Sequence, residues 1–191
     1  MSIKKVIGKD PVFIDMKFTG FHQGTTPISL GMVDSPGNRF YTEFNDYDRS
    51  QVGPWLTNHV IPKFKFKKHS DNRMTYSIER EIVIEGGVRH QARVLHRLRQ
   101  EGVEKKVREW FSLRGEVAVV SDVLAYDWVL FCEIFGGAFH APKNVYYIPF
   151  DIATMMACKG VTQTSRGRLS PGSGIRRTGP RSKGITPCGT P

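Results

Sequence analysis

The chain has 191 residues, 39% of them hydrophobic, with 28 Lys/Arg against 18 Asp/Glu for a formal net charge of +10. That length suits one domain, or one domain with a tail. No apolar run approaches the roughly 18 residues that span a bilayer, the first ten residues lack the apolar stretch of a signal peptide, and Cys132, Cys158 and Cys188 are too scattered for a disulfide framework or a zinc site. A reducing cytoplasm, with no membrane partner, is the expected setting.

The charge is uneven. Residues 161–191 hold six Lys/Arg and no Asp/Glu, which leaves 22 basic against 18 acidic residues in 1–160. The body is only mildly basic, so the whole chain's pI near 9.7 is a weak pointer to nucleic acid.

Residues 11–18 (PVFIDMKF) read as a buried strand and residues 20–27 as turn punctuation. Ile28 to Asp34 is a second strand, Ser35 to Asn38 (SPGN) a tight turn, and Arg39 to Asn45 a third strand with Phe40, Thr42 and Phe44 on one face. So short a connection makes an antiparallel hairpin, and the three strands a meander. Val52 to Ile61 predicts a short helix, with Pro54 in its first turn and Pro62 ending it. Residues 63–73 read as a basic loop and Met74 to Glu85 as β-rich. Arg89 to Gln100 fits a helix with Ala92, Leu95 and His96 on one face. Glu101 to Leu113 is a clearer one, with Val103, Val107, Trp110 and Phe111 at helical spacing and Gly115 as its cap. Glu116 to Ser121 (EVAVVS) has the continuous apolar character of a buried parallel strand. Ala125 to Phe135 is an apolar helix ended by Gly136 and Gly137, Tyr146 to Phe150 is extended, and Asp151 to Ala157 begins another helix.

Hairpin strands followed by helix, strand, helix, strand, helix form a mixed-sheet α/β order. It fits a ribonuclease H-like domain with flanking helices over residues 1–160, although the pattern alone also fits other α/β folds. Residues 161–191 hold six Gly, four Pro, nine Ser/Thr and no aromatic residue. Such a stretch buries too little apolar surface to offset its ordering entropy, so a disordered basic tail is expected.

Two acids stand out. Asp15 lies in the first strand, read as its buried end, where a carboxylate is costly unless paired or bound to a metal; the plain alternative is a strand-end turn acid. Asp127 opens an apolar helix after a strand; the plain alternative is a first-turn acid favoured by the helix dipole. Carboxylates on neighbouring elements of a sheet can share divalent metals, and a metal pair can activate water and stabilise a leaving oxygen in phosphodiester cleavage.

Phe13 to Gly20 (FIDMKFTG) resembles the first motif of the DEDD-type (DEDDh) 3′-5′ exonuclease superfamily, an Asp-x-Glu followed by a Thr-Gly turn. Ser121 to Phe131 (SDVLAYDWVLF) resembles the second motif, with Asp127 as its Asp. Trp55 to Phe64 (WLTNHVIPKF) is similar to a segment of the mycobacterial-type bacterial 3′-5′ exoribonuclease domain. The resemblance covers about residues 11–160. It implies a magnesium- or manganese-dependent hydrolase that removes nucleoside monophosphates from a 3′ end. Asp15 would bridge two metals (Mg²⁺ or Mn²⁺), Asp127 would support the second, and Phe18, Thr19 and Gly20 would line the 3′-terminal nucleotide. The implied partner is single-stranded nucleic acid, RNA ahead of DNA; a homodimer is allowed.

Two departures from the family pattern follow. Lys17 stands at the position of the Glu, where a like charge about 4 Å from a divalent ion costs on the order of several kcal/mol; its ammonium can instead occupy part of the metal site. The third motif, a His five residues before an Asp, is absent from the C-terminal part, and the last acidic residue is Asp151. Read two bases later, the codons for Gly184 to Pro191 can encode His-Asn-Ala-Leu-Trp-Asp-Ala, which carries that spacing. The same offset lets Thr162 to Leu169 encode a polar helix start. These readings point to a frameshift near Val161. The chain as written is therefore expected to have little or no exonuclease activity. Two other classes stay open: a non-catalytic module that binds single-stranded nucleic acid, and a non-functional truncated product.

Tyr126 and Trp128 flank Asp127 and could stack on a base, although core packing is the commoner role for aromatics on such a helix. Lys63 to Lys68 (KFKFKK) could follow a phosphate backbone or be a solvated loop. The six histidines show no metal-ligand spacing, and Cys132 reads as a buried thiol.

Overall fold

The computed structural model describes residues 4, 7–66, 76–82, 91–163 and 169–171. Two compact units divide the chain, Met1–Ile152 and Ala153–Pro191.

In the first unit, the strands β1 (Asp10–Phe18), β2 (Pro27–Asp34) and β3 (Arg39–Phe44) form the expected antiparallel meander. The turn between β2 and β3 is set by Asp34, whose carboxylate accepts from the Gly37 and Asn38 backbone N–H groups at 3.0 and 2.8 Å. Gly37 takes φ 98°, a conformation that favours glycine. Next come a short helix α1 (Pro54–His59) and the strands β4 (Tyr76–Ile82) and β5 (Gln91–Leu98). They are followed by helix α2 (Gln100–Ser112), strand β6 (Val117–Ser121), helix α3 (Leu124–Glu133) and strand β7 (Val145–Asp151).

Seven strands make one sheet in the order β4-β5-β3-β2-β1-β6-β7. Five of them, β3-β2-β1-β6-β7, run from the third strand to the β7 edge, with β1, β6 and β7 parallel and β2 antiparallel to β1. That order and direction, with helices packed on it, are a ribonuclease H-like mixed α/β fold. Parallel strands demand crossover connections, and α2 and α3 supply them.

Periodicity explains the core. Along β1 the residues Val12, Ile14 and Met16 are buried, while Phe13, Asp15 and Lys17 project the other way and are half-buried or exposed. Helix α2 turns Val103, Val107, Trp110 and Phe111 toward β3 and β5, and α3 packs Leu130, Phe131 and Cys132 into the same cluster. Each such side chain fully buried stabilises by about 1.5–3 kcal/mol. All five residues of β6 are buried, as a central parallel strand requires. Burial pushes the Cys132 thiol up to about 11, in keeping with an inert core thiol.

Three expectations are corrected. The segment expected as a helix from Arg89 is the strand β5, held between β3 and β4. Ala92, Leu95 and His96 suit a helix face, but pairing with both neighbours overrode that weak pattern. Gly115 does not cap α2; Leu113 does, and the Arg114 N–H closes the turn on the Phe111 carbonyl at 2.9 Å. Asp15 is not at a buried strand end. It stands within β1 on the exposed face.

The second unit carries the end of α4 (Ile152–Cys158) and a small antiparallel hairpin of β8 (Val161–Gln163) and β9 (Leu169–Pro171). That hairpin falls inside the stretch expected to be disordered. Backbone pairing and β-favouring Val161 and Thr162 act against that composition locally. The remaining tail, 164–168 and 172–191, lies outside the described residues, as do Lys67 and Lys68 of the basic run.

Candidate metal centre

The parallel register of β1 and β6 builds the site. Phe13 pairs with Val120, so Asp15, two residues on, and Asp122, just past the end of β6, come close to one another. Where β6 ends, the first turn of α3 delivers Asp127. Helical spacing places Asp127 on the same stripe as Leu130, Phe131 and Ile134, which face the core, so its carboxylate is drawn in with them and is fully buried. One ligand atom from each of Asp15, Asp122 and Asp127 lies within 4.8 Å of the others. Carboxyl ends of parallel strands are the usual place for ligands in open α/β sheets.

Asp127 is the anchor. Its Oδ2 accepts a short hydrogen bond from the Ser121 hydroxyl, while Oδ1 is buried with no hydrogen-bond partner among the described residues. Burial pushes its carboxyl up to about 6, the Asp15 and Asp122 charges add to the rise, and the Ser121 hydroxyl and Met16 backbone hold it down. A buried carboxylate oxygen without a donor is costly, and a cation is the partner it lacks. Three hard oxygen ligands suit a hard cation, so the cluster can hold a metal ion.

Lys17 qualifies that fit. Its Nζ lies 2.5 and 2.6 Å from the two oxygens of Asp15, so the ammonium occupies both of them. The pair is partly exposed, with side-chain exposures of 43% and 60%, and contributes little to stability.

A cavity of about 480 Å³ opens beside the acids, bordered by Asp15, Lys17, Phe18, Phe21, Trp55 and Asp122. Phe18 stacks on Tyr126 with ring centroids 5.0 Å apart, and Phe21 meets both rings edge-on. Phe21 and Trp55 are 76% and 64% exposed, a costly display for large aromatics without a partner. Thr19 is buried, and its hydroxyl is engaged with Thr25, Thr26 and Gln51, so it shapes the loop after β1. The Gly20 N–H donates to Thr25 Oγ1 at 3.0 Å, and a Cβ on Gly20 would strike the His22 ring at 2.8 Å.

The structure thus brings Asp15 and Asp127 together, with Phe18, Thr19 and Gly20 along the neighbouring cavity and Tyr126 behind Phe18. Asp122, Phe21 and Trp55 were missed. An acid directly after a buried parallel strand was the signal for Asp122, and Trp55 opens the distinctive WLTNHVIPKF segment; nothing in the local sequence pointed to Phe21. Of the basic run, Phe66 is buried and the Lys65 N–H donates to Glu43 Oε1 at 2.6 Å, so its described part is anchored to the body.

No protein-family model and no curated protein matches the chain. A solved structure described as a crystal structure of SSB/Exonuclease I in complex with inhibitor CFAM is similar to it at 12% identity, with a TM-score of 0.42. The similarity covers 85% of this chain and 34% of that one, so this chain spans well under half its neighbour's length. Among the described residues no helix is long and apolar enough to cross a membrane.

Proposed function

We propose that the chain is a metal-binding domain of the DEDD-type 3′-5′ exonuclease class, of the bacterial exoribonuclease kind, that holds the 3′ end of single-stranded RNA and hydrolyses it poorly or not at all. The observation that carries this reading is the Asp15, Asp122 and Asp127 cluster near the ends of parallel strands, together with the buried Asp127 Oδ1 that has no hydrogen-bond partner among the described residues.

Asp122 and Asp127 would hold a divalent cation, which supplies charge neutralisation and water activation at a phosphodiester. Phe21 and Trp55 offer faces on which a terminal base stacks. Phe18, backed by Tyr126, forms the wall between the acids and that apolar space. Lys17 ties up Asp15, and the sequence has no His-x4-Asp motif to supply a general base and a fourth carboxylate. These two features account for impaired hydrolysis.

The test is a single-stranded RNA with a 3′ label, incubated with the protein and Mn²⁺. Metal-enhanced binding with little or no release of nucleoside monophosphate is expected. Rapid turnover would overturn the impairment; RNA binding indifferent to metal, or none, would overturn the assignment of the site. A DNA strand of the same sequence, expected to bind more weakly, tests the preference for RNA. The coding DNA from the codon of Met155 onward tests the frameshift: its alternative frame near Ile185 should spell a His and an Asp.

A further inference from the structure

We propose that Lys17 is a tethered cation that fills one of two cation positions, so that this centre takes one divalent ion per chain instead of two. The inference deepens the reading of the site as a metal centre and rests on it.

The geometry divides the carboxylates into two sets. Asp15 has both oxygens within 2.6 Å of the Lys17 ammonium, the contact a bound cation would make. Asp122 and Asp127 make no such contact with Lys17. The second observation is Asp127, a member of the cluster, whose buried Oδ1 has no hydrogen-bond partner among the described residues. One half of the centre is therefore already supplied with positive charge, and the other half still lacks it.

Charge balance agrees. Three carboxylates and one ammonium sum to a net charge of −2, which a single divalent ion neutralises. A second ion would have to displace the ammonium from Asp15 or sit against it as a like charge at short range. Lys17 follows Asp15 by two residues on the same strand, so both side chains rise from the same sheet face. Their proximity is dictated by β1 and does not depend on a mobile loop. A lysine also cannot ligate while protonated, because its ammonium has three donors and no acceptor.

The test is the number of Mn²⁺ ions bound per chain, from calorimetric titration and electron paramagnetic resonance with Mn²⁺ alone. One uncoupled ion is expected for the unaltered chain. Lys17→Glu, which removes the ammonium and adds a carboxylate, is expected to bind two ions with a spin-coupled spectrum. Lys17→Gln, which removes only the charge, is expected to tighten the first ion at least tenfold, and it keeps the proposal testable if the glutamate variant folds poorly. Asp127→Asn is expected to lose the ion. Two coupled ions in the unaltered chain, an unchanged affinity in Lys17→Gln, or an ion retained by Asp127→Asn would each overturn the inference while leaving a metal-binding chain. No Mn²⁺ binding by any of the proteins would overturn the metal-centre reading itself.

Discussion

Ser121, the last residue of β6, donates a hydrogen bond from its hydroxyl to Asp127 Oδ2 in the first turn of α3. This one bond ties strand end to helix start and fixes the Asp127 carboxylate beside Asp15 and Asp122. Ser121→Ala should therefore leave a fully buried carboxylate with neither oxygen bonded to a side chain. A loss of about 1–3 kcal/mol in urea unfolding at pH 7 is expected.

The same carboxylate makes stability depend on pH. Its pKa in the folded chain is about 6 against an ordinary 3.8. The folded state then holds a proton that the unfolded state has already released, so unfolding free energy falls as pH rises through the window from 3.8 to about 6. Stability from this group is fully present below that window and lost above it, by about 3 kcal/mol. Asp127→Asn should flatten the dependence, as measured by unfolding curves at pH 4, 5, 6 and 7.

Metal and proton should compete for Asp127. Mn²⁺ is expected to raise the melting temperature at pH 7.5, where the carboxylate is ionised, and to have little effect at pH 5. At a hundredfold excess over Kd the stabilisation is about 2.7 kcal/mol. An equal shift at both pH values would place the ion elsewhere.

Away from the centre, Arg114 donates to Asp34 Oδ2 through Nη2 at 2.6 Å and Nε at 2.9 Å, and its guanidinium lies 3.2 Å from the centre of the Trp110 ring. Both side chains are largely buried, at 12% and 7% exposure. Asp34→Ala leaves the guanidinium buried without its partner and removes the acceptor of the β2–β3 turn. A destabilisation of about 3–5 kcal/mol in denaturant unfolding is expected.

Trp55 stacks on His59 with 5.4 Å between ring centres, and its outer face borders the cavity. Trp55→Ala should change stability by less than about 0.5 kcal/mol, as an exposed substitution does. Its effect on binding a fluorescent single-stranded RNA should be larger, a loss of about 1–3 kcal/mol by anisotropy.

The meander, α2, β6 and α3 were legible in the sequence because each carries its own periodicity and punctuation. Helix α3 ends at Glu133, two residues short of the expected Phe135, and Gly136 and Gly137, at φ 77° and 121°, form the turn that follows it. Residues 91–98 were not legible. Their alternation is weak, and strand formation there depends on pairing with β4 and with β3, the latter more than forty residues earlier in the chain.

By itself the sequence determined the local elements, the mildly basic body and two of the three acids, because those properties depend on side chains a few residues apart. Only the tertiary structure decided that Asp122 completes the cluster, that Asp15 faces outward with Lys17 on it, and that Phe21 and Trp55 border one cavity. The place of Asp122 and Asp127 beside Asp15 is set by the parallel register of β1 and β6 and by the packing of α3 over their ends, and no local pattern encodes the distance between residues more than a hundred positions apart.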